Sequence, residues 1–137
     1  MTTSTLPLTV GDTIPTWEVP ITPTLVVSTA ISTRDFQDVH HDRDIAQAAG
    51  SKDIFVNILT STALVERYVT DWAHQRTGHW DTEVRGIAIR LGAPAYPYDT
   101  LSFTGSVESV EDGVATLTVT GSVSLGDHVI GTVKVAV

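Results

Sequence analysis

Apolar residues recur along the chain with two different periods, and one polar stretch separates them. The longest helical signal runs from Phe55 to about Gln75, where Ile58, Thr62, Val65, Val69 and Trp72 recur at spacings of three and four and so share one face. No Gly or Pro interrupts Ser51 to Thr77, and Gly78 is a natural stop. Downstream the period falls to two. Val114 to Val123 alternates apolar residues with threonines, a pattern that predicts a strand with one buried face. Val84 to Leu91, Leu101 to Val110 and His128 to Val137 read as further strands. Glu111-Asp112-Gly113 and Gly126-Asp127 supply the turns between the last three. Upstream, the β-branched run Thr24 to Ile31 predicts a first strand, and the Thr- and Pro-rich residues 1–22 an irregular arm.

Consecutive strands joined by short turns form an antiparallel sheet. A helix of about 20 residues must bury its apolar face against such a sheet. The pattern therefore predicts an α+β fold of about five strands and one long helix. At 137 residues, one domain spanning 1–137 is expected.

Between the first predicted strand and the long helix the character changes. Ser32 to Asp44 holds six charged residues and two adjacent histidines with few apolar anchors, which predicts a loop. Asp42 is placed to cap a short helix, Arg43 to Ala49, ended by Gly50. Within the loop, Asp35 and His40 are five residues apart and can converge on one small molecule. A carboxylate and an imidazole sharing a water can orient it, take its proton and later return a proton as an acid. That chemistry suits addition of water to a double bond. Asp38, Asp42 and Asp44 read instead as caps or solvated charges, and His41 as exposed or supporting. A metal site is disfavoured, because the neighbouring side chains of His40 and His41 diverge more easily than they converge.

Composition narrows the partners. The formal charge is −8, which argues against a nucleic-acid ligand. An anionic ligand would need locally gathered cations, for which Arg34, Arg43, Lys52, Arg85 and Arg90 are available. The absence of cysteine excludes disulfides and thiolate chemistry. Met1 to Val10 lacks the pattern of a signal peptide, and no apolar run suffices to span a bilayer, so a cytoplasmic location and no membrane partner are expected.

The loop Asp35-Phe36-Gln37-Asp38-Val39-His40 resembles the Asp-x-Asn-Pro-(Ile/Leu/Val)-His motif of the MaoC-like enoyl-CoA hydratases, which include the R-specific hydratases. Gln37 and Asp38 replace the motif's Asn and Pro, and Arg34 stands where a Gly is usual. Three further segments are similar in register. These are Val10 to Pro15, then Ile54 to Thr60 (usually Ile-x-His-Gly-x-x-Thr/Ser), and Arg90 to Leu101 (usually Arg-Phe-x-x-Pro-Val-x-Pro-Gly-Asp-Thr-Leu). The loop most resembles the small MaoC-like subunits of actinobacterial steroid side-chain-degrading heteromeric hydratases.

The resemblance implies a hotdog fold, a long central helix wrapped by a curved antiparallel sheet. It implies hydration of an enoyl-CoA, with Asp35 and His40 as the reactive pair. No cofactor is implied, because CoA is part of the substrate, and no metal. It places the Asn57 N–H, at a family glycine, as a donor to the thioester oxygen. Lys52, Arg90 and Tyr96 are candidate CoA or acyl contacts, with Tyr98, Trp72 and Trp80 as further pocket candidates, although Trp72 suits the core better. A second MaoC-like hotdog subunit is the implied partner, in a heteromer that could be α2β2. Two alternatives stay open. One is a hotdog acyl-CoA thioesterase using a helix carboxylate, for which Glu66 is available. The other is a non-catalytic subunit that completes a partner's acyl pocket.

Overall fold

A computed structural model of the chain describes residues 7–137. Five strands form one antiparallel sheet in the order β1-β3-β4-β5-β2. They are β1 (Thr13–Pro20), β2 (Val84–Leu91), β3 (Thr100–Glu111), β4 (Val114–Val123) and β5 (Gly126–Ala136). Three helices accompany them: α1 (Pro23–Ser32), α2 (Arg43–Ala48) and α3 (Ile58–Thr77).

The alternation in β4 sets the core. Ala115, Leu117, Val119, Gly121 and Val123 turn inward, and the threonines between them do not. Phe103 and Leu101 from β3 and Val129, Val133 and Val135 from β5 complete the inner face. Helix α3 lies on that face through Leu64, Val65, Tyr68, Val69, Trp72 and Ala73. Trp72 is thus a core residue. Ile58, expected on the apolar face, is exposed at the start of α3, where Thr60 and Ser61 are the buried residues of the first turn.

Two expectations fail. The run Thr24 to Ile31 is helix α1, not a strand. Its start carries strong helical signals that outweigh β-branched propensity. The Thr22 hydroxyl caps the Leu25 N–H at 3.0 Å, and Pro23 occupies the first turn, where its fixed φ suits a helix. Val26 and Ala30, one turn apart, bury the inner side, and the hydroxyls of Thr29, Ser32 and Thr33 bond back to carbonyls four residues earlier. The first strand comes instead from the segment read as an irregular arm. Strand β1 pairs with β3 from Thr13↔Ser106 to Pro20↔Thr100, with a register shift between Ile14 and Trp17. Pro15 sits in that shift, on an edge strand, where a missing N–H is tolerated. The Tyr68 hydroxyl donates toward the freed Pro15 carbonyl at 2.9 Å, and Trp17 stacks on Phe103. Residues 1–6 of the expected arm lie outside the described residues. No helix of the described residues is long and apolar enough to cross a membrane.

Candidate active site

Asp35 is positioned by the way α1 ends. Thr33 is the C-cap, and Arg34 follows at φ 58, in the left-handed region. The Arg34 N–H reaches Ile31 O at 3.0 Å and the Asp35 N–H reaches Ala30 O at 2.9 Å. This is the Schellman pattern, which reverses the chain and fixes the backbone of the residue after the reversal. That requirement explains the glycine usual at position 34. Arg34 meets it with a non-glycine residue, at some cost in backbone strain.

The chain then makes a single 3-10 turn, Asp38–His40, which folds the buried His40 ring back beneath the loop. His40 packs edge-on against Phe55, with ring centroids 4.9 Å apart. Its Nδ1 lies 2.8 Å from Phe55 O, a carbonyl that can only accept, so Nδ1 carries the hydrogen. In the neutral ring Nε2 is therefore an acceptor. It faces Asp35 Oδ2 at 3.3 Å.

Asn57 ties the two halves of the site together. As N-cap of α3 its Oδ1 accepts from the Thr60 N–H at 3.1 Å. Its Nδ2 donates to Asp35 Oδ2 at 3.1 Å and to Thr33 Oγ1 at 2.9 Å. The Gln37 N–H reaches Asp35 Oδ1 at 3.3 Å. Partial burial pushes the Asp35 carboxyl up. The Asn57 amide, the Gln37 N–H and the His40 ring outweigh it and hold the group below the ordinary carboxylate range. Asp35 is consequently an anion at neutral pH.

Both groups open onto a cleft of about 420 Å³, whose other lining includes Asn57, Ile58, Ala93 and His128. The cleft mouth is apolar and uncovered. Ile58 and Leu91 line it, and the nearby Phe36 and Leu59 are also exposed.

A carboxylate and a properly oriented imidazole in one cleft, with the motif register around them, match one family closely. Its model, for the MaoC like domain, matches residues 7–128. The chain belongs to the MaoC-like domain family. It is 54% identical over 127 residues to the 3-oxo-4,17-pregnadiene-20-carboxyl-CoA hydratase beta subunit of Mycobacterium tuberculosis, covering 93% of this chain and 95% of that one. It superposes with a TM-score of 0.87 and 53% identity on a chain of the ChsH1-ChsH2 complex from Mycobacterium tuberculosis, covering 93% of this chain and 97% of that chain. The (R)-hydratase from A. caviae involved in PHA biosynthesis shares the fold, with a TM-score of 0.78 at 19% identity over 95% of this chain and 97% of that one. The architecture is accordingly the hotdog of the MaoC-like hydratases.

Other predicted site residues lie elsewhere on the MaoC-like chain. Lys52 and Tyr96 meet each other, the ammonium 5.8 Å from the ring centroid, in a second groove with Arg43 and Tyr98. They do not line the Asp35 cleft. Tyr98 adopts φ 73 where the family motif has Gly and is 84% exposed. Arg90 pairs across from Ile130 on the outer face of the sheet, also away from the cleft. Glu66 is exposed on α3 and contributes nothing to the cleft. Trp80 is exposed and stacks on His74. His41 is exposed and pairs with Asp38 at 3.5 Å, so the two histidines do diverge. Among the described residues no cluster of three or more His, Asp and Glu is placed to hold a metal ion.

Sequence reasoning missed His128, a buried histidine of β5 that lines the cleft, and its partner Ser61. One signal was available. A histidine just after the Gly126-Asp127 turn stands beside positions that alternate into the core.

Proposed function

We propose that this chain is the catalytic subunit of a heteromeric hydratase that adds water across the 2,3 double bond of a bulky enoyl-CoA thioester, a steroid side-chain enoyl-CoA being the preferred class. The observation that carries the chemistry is the pair of facing acceptors, His40 Nε2 and Asp35 Oδ2, 3.3 Å apart at the wall of the cleft. A water seated there donates one hydrogen to each and presents its oxygen lone pair to the cleft. As the C–O bond forms at C3, one O–H bond breaks and the proton passes to the pair. The electrons of the double bond move toward the thioester oxygen, giving an enolate. The protonated group then delivers a proton to C2, which completes the hydroxyacyl-CoA and resets the site.

The developing enolate oxygen needs donors aimed at it. The Asn57 N–H at the start of α3 makes no hydrogen bond among the described residues, and the helix terminus adds partial positive charge. Placing the thioester oxygen there puts C3 near the Asp35–His40 water. Asn57 thus has two roles in this reading: its side chain holds Asp35, and its backbone meets the substrate.

Identity of 54% to a steroid side-chain CoA hydratase subunit supports the bulky acyl class. That relative is a beta subunit, and the matched structure is of a two-protein complex. Both support a second MaoC-like hotdog subunit as partner, and the uncovered apolar mouth at Ile58 and Leu91 suits one. No cofactor enters the steps above, and a cytoplasmic location belongs to the same reading. Lys52 and Tyr96 remain assigned as CoA contacts in their separate groove. Arg90, on the outer face, would reach only a CoA that wraps the sheet.

The test is product analysis of the assembled enzyme on a short enoyl-CoA and a steroid enoyl-CoA side by side. A hydroxyacyl-CoA, formed faster from the steroid thioester, is expected. Release of free CoA thiol with no hydroxyacyl product would replace hydration by thioester hydrolysis.

A further inference from the structure

The mechanism above leaves one buried polar group in the cleft wall unused. His128 is 2% exposed and Ser61 fully buried, and Ser61 Oγ lies 2.7 Å from His128 Nε2. His128 Nδ1 lies 2.7 Å from Ala93 O. A carbonyl only accepts, so Nδ1 carries the ring hydrogen. Burial lowers the ring's proton affinity, and the bond to Ala93 raises it by less, so the ring is neutral and Nε2 accepts. The single Ser61 hydroxyl hydrogen goes to Nε2, since the alternative acceptor, Asn57 O, is farther at 3.3 Å and already takes the Ser61 N–H. The result is a one-way chain, Ser61 O–H to His128 Nε2 and His128 Nδ1–H to Ala93 O.

The chain joins two parts of the cleft. Ser61 sits one turn after Asn57, whose amide holds Asp35. Ala93 belongs to the opposite wall, which also hangs on β5 through Gly92 N–H to His128 O and Ala93 N–H to Asp127 O, each 2.8 Å. That wall runs so close to β5 that a Cβ at Gly92 would stand 2.4 Å from Asp127 O. A serine–histidine contact could suggest a nucleophile. Ser61, however, is fully buried and absent from the cleft lining, so its hydroxyl is not offered to a thioester.

We propose that Ser61 and His128 are a positioning pair, a neutral polar brace that fixes the distance from the first turn of α3 to the Ala93 wall and so holds Asn57 and Asp35 in register with the bound acyl group. This rests on the hydration reading. Because the brace acts on alignment, its loss lowers kcat with KM unchanged.

The test uses the assembled heteromer with a steroid enoyl-CoA. Ser61→Ala removes the donor. His128→Asn keeps a donor toward Ala93 but no longer reaches Ser61. Each variant is expected to lower kcat about 10-fold at constant KM, and the double variant about 10-fold rather than 100-fold, because both cut one link. Nitrogen-15 NMR of the wild-type ring is expected to show the Nδ1–H tautomer, a readout independent of turnover. Unchanged kcat with only a lower unfolding temperature, multiplicative losses in the double variant, or an Nε2–H tautomer would overturn the proposal. Wild-type protein that hydrates no enoyl-CoA would overturn the hydration reading instead.

Discussion

Asn57 is the residue on which the cap of α3 and the state of Asp35 both depend, so its replacement separates two effects. Asn57→Gly removes the side chain, keeps the backbone N–H and restores the residue usual in the family. As an N-cap, Gly is worse than Asn by only a few tenths of a kcal/mol. The larger loss is the Nδ2 donor, which reaches a carboxylate at 3.1 Å and a hydroxyl at 2.9 Å from a residue only 2% exposed. A hydrogen bond to a charged group is worth about 1.5–3 kcal/mol, and the partial exposure of Asp35 lowers that, so about 2 kcal/mol of unfolding free energy should go. Asn57→Asp keeps the cap and sets a second carboxylate against Asp35, so it should be the more damaging change if the donor matters more than the cap.

The pH dependence has a definite sign. Asp35 is held below its ordinary value, so its carboxylate form persists well into acid, and the stability it contributes is lost only as pH falls through that lowered value. Without the Asn57 amide, the upward push of burial is less opposed and Asp35 takes up its proton at higher pH. The acid limb of kcat/KM, followed by loss of enoyl thioester absorbance in the assembled enzyme, should therefore move toward neutrality in Asn57→Gly, with kcat reduced. A Gly variant whose profile superimposes on the wild type, together with an Asp variant at full kcat, would refute the reasoning.

Two further outcomes follow from the backbone and the core. Arg34→Gly should retain activity and raise stability by up to about 1 kcal/mol in urea unfolding, because glycine enters the left-handed region without strain; loss of activity would show that the guanidinium, not the turn, matters. Burial pushes the Tyr68 hydroxyl up to about 12, so the neutral form is favoured in the fold and stability should fall as pH rises from about 10 toward that value. Tyr68→Phe should flatten this alkaline loss while costing about 1 kcal/mol at neutral pH for the bond to Pro15 O; an unchanged alkaline slope would place the titrating group elsewhere.

What was legible in the sequence follows from which signals are local. The alternation in Val114–Val123 and the uninterrupted stretch from Ser51 to Thr77 specify their elements unaided, because periodicity decides which face can be buried. The run Thr24 to Ile31 misleads because β-branched content is a weak preference, whereas Thr22-Pro23 is a positional helix start. Strand β1 was hidden by Pro15 and Pro20, which are tolerable only at a bulge and a strand end that the local sequence does not reveal. In the site, Asp35 and His40 were legible because both fall in one short loop. The roles of the Asn57 side chain and of Ser61 with His128 were not, since they bridge residues 22 and 67 positions apart. Lys52 and Tyr96, read only as candidate CoA or acyl contacts, lie together in one groove. No spacing rule could place their groove apart from the Asp35 cleft.

The central claim is that Asp35 and His40 act together on one water. It is tested most directly by Asp35→Asn and His40→Ala, each assembled with its partner subunit and assayed on a steroid enoyl-CoA. The account predicts that each loses on the order of 100- to 10,000-fold in kcat while the complex still forms. Turnover near that of the wild type by either variant would contradict it.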